Sequence, residues 1–151
     1  MFETMTDNLP CAFLASESTL DRFLSDFFEH SLPKAEWNHA AHVALGAALL
    51  FHSNVTAALP KVREGLWTYI EATGGKNADD CGYHETLTVF WLKVIFARLQ
   101  KLRSMSRLDA VREVVAEYGE QRKLHTEYYS GDLNCNVAAR RNWVIPDLRR
   151  I

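Results

Sequence analysis

Two segments of this sequence are apolar all the way round a helix. Ala40 to Phe51 reads AAHVALGAALLF, and Thr86 to Leu99 reads TLTVFWLKVIFARL. A helix with no polar face has to be covered on every side. In a chain of 151 residues the economical solution puts both segments at the centre and wraps the other elements around them.

Elsewhere the apolar spacing is also helical, and alternating β-type patterns are almost absent. Five helices are predicted, with ends assigned from capping and breaking residues. They cover about Thr19 to Glu29, His39 to His52, Asn54 or Thr56 up to Gly74-Gly75, Tyr83 to Arg103, and Arg107 to Tyr118. Pro60 is placed in the first turn of the third helix, where a missing N–H is harmless. From Gly119 on, short helices and irregular chain are expected. The fold class is therefore all-α: a single-domain helical bundle of about five helices with two buried central ones, spanning 1–151, its N-terminal segment 1–16 only loosely ordered.

The net charge is -2, so no basic surface calls for nucleic acid. The longest apolar run is well short of the ~20 residues of a membrane span. The N-terminus is acidic and has no signal-peptide core. Cys11, Cys81 and Cys135 are odd in number and form no C-x-x-C, which fits a reducing cytoplasm. A cytoplasmic protein with no nucleic-acid or membrane partner is the expectation. The oligomeric state is not legible.

Short connections make consecutive helices antiparallel. The second and fourth helices then begin at the same end of the bundle. His39 and His42, three apart and on one face, should meet His84 and Glu85 there. The chain after the fifth helix returns to that end with His125, Tyr128 and Tyr129. Buried polar groups of this kind need partners, at a cost of roughly 1–3 kcal/mol each when left without. One reading is a metal site. His39, His42 and His84 would ligate a divalent ion (zinc, iron, manganese or nickel), with Glu85 as a fourth ligand or as the general base for an activated water. His84-Glu85 opens like the zinc-protease motif H-E-x-x-H, but Thr88 stands where the second histidine belongs. Histidines at helix starts also cap helices or bond backbone carbonyls, which is the competing reading. No nucleophile elbow, phosphate loop or dinucleotide glycine motif is present.

Taken together, EWNHAAH (Glu36–His42), GYHETLTVFW (Gly82–Trp91), EYYS (Glu127–Ser130) and AARRNWVIPDL (Ala138–Leu148) resemble a family of small, mostly uncharacterised bacterial proteins. Its members share W-x-H-x-x-H, G-Y-H-E-T-L-T, Y-Y-S and A-R-x-x-W-x-x-P-D-L. The resemblance runs from Leu32 to Leu148 and implies a single helical domain, but it carries no activity with it. A serine common in that family before the A-R pair is replaced here by the Asn134-Cys135-Asn136 region.

The leading expectation is a metal-dependent hydrolase or oxygenase acting on a small anionic substrate, with Tyr83, Tyr129, Arg140 and Trp143 binding that substrate. The first alternative is a metal-free binding protein for a small acidic metabolite. The second is a structural or interaction protein whose histidines only tie helices together. Under that last reading, alanine substitutions should lower stability and leave no empty cavity, and a structure with His39, His42 and His84 bonded to backbone carbonyls would select it.

Overall fold

In the computed structural model, which describes residues 11–151, each of the five long helices starts at a side chain that accepts an amide of its own first turn. They are α1 (Glu17–Phe28), α2 (His39–Leu50), α3 (Val55–Ala72), α4 (Glu85–Leu99) and α5 (Arg107–Tyr118). Their caps are Ser16, Asn38, Asn54, His84 and Ser106. A short α6 (Val137–Arg141) follows, capped by Asn136. No β-strand occurs among the described residues. The predicted all-α class holds, and α5 has the limits expected of it.

Several boundaries differ, each for a local reason. α1 begins two residues early because Ser16 and Thr19 form a reciprocal capping box. Within the segment expected to be loosely ordered, residues 11–16 are structured: Ala12–Leu14 form a 3₁₀ turn, and Cys11 and Leu14 are buried. Residues 1–10 lie outside the described part of the chain. α4 ends at Leu99 rather than Arg103. Pro60 is the sixth residue of α3, inside the helix rather than in its first turn. The tolerated-position argument therefore fails there. Gly74 does stop α3: its φ is +90°, and the Gly75 amide donates to Ile70 O at 2.8 Å.

α2 is covered on nearly every side, His42 excepted, and packs most extensively on α5 and α4. Gly46 lets α4 come close: a Cβ there would lie 3.1 Å from Ile95 Cδ1, which would have to shift slightly to admit it. That close approach is why α2 is built of alanine and glycine. α4 is apolar all round for a different reason. One face, with Leu92, Ile95 and Leu99, enters the main core. The other, with Phe90 and Val94, lies under a second core made by Tyr128, Tyr129, Leu133 and Ala139. The C-terminal segment, not another long helix, covers this outer face. It is tied down at Thr86, whose hydroxyl donates to Asn142 O (2.8 Å) and accepts from the Val144 amide (3.1 Å).

Candidate functional site

The imidazoles do converge. His39, His42 and His84 all line one cavity of about 270 Å³ between α2, α3 and α4. Its walls are mainly apolar, from Val43, Val62, Leu66, Leu87 and Ile95, with Trp91, Thr88 and Tyr83 beside them. Arg122 joins the lining. It lies in the irregular chain after α5, where no periodicity could have placed it. Trp91 packs edge-on to His39, ring centroids 4.7 Å apart.

Each of the three histidines bonds a backbone carbonyl, and those bonds define their tautomers. His84 uses both nitrogens: Nδ1 accepts the Leu87 amide at 3.1 Å, capping α4, and Nε2–H donates to Leu133 O at 2.8 Å. It is a neutral imidazole with no lone pair left to ligate a metal. His39 donates Nε2–H to Tyr118 O (3.1 Å), leaving Nδ1 as a bare lone pair. His42 donates Nδ1–H to Asn38 O (2.9 Å), leaving Nε2 bare. His42 is exposed and stands on the lining of the cavity. Its ring lies 4.0 Å from that of Trp37, centroid to centroid.

Desolvation by the surrounding side chains favours the neutral form of these rings. Desolvation is the main cause of the lowered pKa of His39, His42, His84 and His125, and His42 is pushed down to about 4. The charge of Arg122 lowers His39 further, and that of Arg140 lowers His84. The Nδ1 of His125 is enclosed without a hydrogen-bond partner among the described residues.

Glu85 does not line this cavity. Its carboxylate faces the other side of Tyr83, gripped by Arg63 (Nε 3.0 Å, Nη2 2.6 Å) and by the Tyr83 hydroxyl (2.6 Å). Burial raises its pKa, but those hydrogen bonds and the Arg63 charge outweigh burial and leave it lowered. The side chain expected to serve as fourth ligand or base is thus spent on an ion pair. Tyr83 alone of the expected substrate-binding residues reaches the cavity. Tyr129 is buried in the second core, its hydroxyl donating to Val144 O at 2.6 Å. Trp143 packs on that same core, with the Lys93 ammonium 5.6 Å over its ring. Arg140 is buried and donates to Gly82 O (2.9 Å) and Asn134 O (3.2 Å), bracing the loop that carries His84.

Among the described residues, no group of three or more His, Cys, Asp or Glu side chains is arranged to hold a metal ion. The cysteines are unpaired, Cys11 buried and Cys81 and Cys135 exposed. No described helix is long and apolar enough to cross a membrane. No protein-family model matches this chain, and neither a curated protein nor a solved structure is found to match it.

Proposed function

We propose that the protein binds a small molecule in the cavity between α2, α3 and α4. The ligand has an apolar body against the aliphatic walls and an acidic group at the histidine end. The observation that carries this reading is a mainly apolar cavity of about 270 Å³ with the exposed His42 on its lining. The carbonyl bonds of all three histidines are the arrangement named above as selecting the tying role; the cavity they line is what that role leaves without a task. By comparison with the 150 Å³ cavity that takes benzene, this volume suits about ten non-hydrogen atoms. Arg122, with no ion-pair partner among the described residues, supplies the charge an acidic group would seek.

Thermal-shift and calorimetric titrations with C6–C10 monocarboxylates and arylacetates, in chelator, test this. Saturable binding that is weakened at least ~10-fold by Arg122→Ala and abolished by Ile70→Trp, a wall-filling change, is the expected result. Alcohols of the same size binding as tightly as the acids would refute the acidic group. The absence of any ligand of either kind would return the cluster to the structural role.

A second reading has its own support. Histidines that ligate metals usually donate the other ring N–H to a carbonyl or carboxylate. His39 and His42 are held in that way, each with its remaining nitrogen bare. The pair would serve as two imidazole ligands for a divalent cation, and bound there the ion would supply Lewis-acid polarisation for hydrolysis, or redox chemistry if it is iron. His84 and Glu85 would have to give up hydrogen bonds to join them. Equilibrium dialysis against zinc, manganese, nickel and ferrous iron should then show one site, lost in both His39→Ala and His42→Ala and kept in His84→Asn. Retention of metal in both single variants would remove this reading. The motif resemblance fits either reading, since His39, His42, Tyr83 and His84 line the cavity and Trp37 packs on His42.

A further inference from the structure

A second hollow, of about 470 Å³, opens beyond Tyr83 and is lined by Arg63, Trp67, Asp79, Glu85, Arg140 and Arg141. Three guanidinium groups face two carboxylates there. Arg63 is engaged by Glu85. Arg141 holds Asp79 (Nε 2.9 Å, Nη2 2.5 Å), but both side chains are exposed, 63% and 56%. Such a surface pair is worth little and exchanges readily.

Arg140 has no such partner. It is only 7% exposed, and its charge meets carbonyl oxygens alone. Its Nε is enclosed and has no hydrogen-bond partner among the described residues. A guanidinium taken out of water without a counter-charge is costly, and no described carboxylate lies within ion-pair distance of it. Arg140 lies on the lining of the hollow. Trp67 lines it too, 45% exposed, its ring centre 6.3 Å from that of Tyr83.

We infer that this hollow is a second ligand site, distinct from the histidine cavity, for an aromatic oxyanion. The flat ring lies against Trp67. The carboxylate or phosphate group sits in the field of Arg140 and takes its direct hydrogen bonds from Arg141, displacing Asp79. Asp79 thereby acts as the internal anion that a ligand must replace.

Titration of the intact protein with phenyl phosphate, benzoate and inorganic phosphate, followed by tryptophan fluorescence and calorimetry, tests the assignment. An aromatic oxyanion is expected to bind with a Kd of about 1 mM or below and to quench fluorescence. Phenyl phosphate tighter than benzoate assigns a phosphate, and the reverse a carboxylate. Because Asp79 and Arg141 are exposed, their variants should fold. Asp79→Asn should tighten binding several-fold, Arg141→Ala should weaken it about fivefold or more, and Trp67→Phe should remove the quench. The assignment falls if no aromatic probe binds up to ~10 mM, if both charge variants leave the affinity unchanged, or if inorganic phosphate binds as tightly as phenyl phosphate.

Discussion

Replacing His84 by alanine separates a structural imidazole from a ligating one. The ring holds two partners: it caps α4 through the Leu87 amide and satisfies the buried Leu133 carbonyl. Loss of a helix cap costs ~1 kcal/mol. Stranding a buried carbonyl costs roughly 1–3 kcal/mol more. The sum, about 2–4 kcal/mol, should lower Tm by on the order of 5–15 °C in a chain of this length. Urea denaturation with chelator present is the assay, so that loss of a metal cannot contribute. His84→Asn supplies the better capping side chain but cannot reach Leu133. It should recover about 1 kcal/mol of the loss and no more. The reasoning is refuted if the alanine variant stays within ~0.5 kcal/mol of the parent in chelator, or if asparagine proves no better than alanine.

Two further outcomes follow from the same atoms. The folded-state pKa values of His39, His42, His84 and His125 lie below 6.5 because burial disfavours the imidazolium. The unfolded chain therefore binds more protons than the native one as pH falls. Stability present above about pH 6.5 is lost progressively down to about pH 4, where His42 titrates. Urea midpoints should fall across that window and fall less steeply in His42→Leu; a flat profile would contradict the burial argument. At Gly46, alanine gains about 1 kcal/mol of helix propensity while pressing on the flexible end of Ile95. Gly46→Ala should lie within ~1 kcal/mol of the parent, whereas Gly46→Leu should cost roughly 1–3 kcal/mol by overpacking, both read from denaturation curves. A Gly46→Leu variant as stable as the parent would mean that α2 and α4 are not tightly apposed.

Much of the site was legible because it depends on chain direction and spacing. Short connections dictated that α2 and α4 start at the same end, and a spacing of three put His39 and His42 on one face. Hydrogen bonding was not legible in the same way. Nothing local says that the carbonyl of Leu133, 49 residues on, will take the second nitrogen of His84. Nor does anything local say that Arg63, 22 residues back, will claim Glu85. Tyr129 and Trp143 were assigned to the cavity because their segment returns to the right end of the bundle. The return is real, but they pack on the far side of α4.

The amino-acid order alone determined the five long helices, the central pair and the end of the bundle where polar groups collect, though not Ser16 and His84 as the caps of α1 and α4. These rest on local propensity, backbone capping and the need to cover apolar surface. The tertiary structure decided which side of Tyr83 each polar group faces, dividing one expected centre into a histidine cavity and an arginine hollow. That division depends on how α4 rotates between two cores. A helix apolar on every face carries no sequence signal for its own rotation, so only packing could choose it.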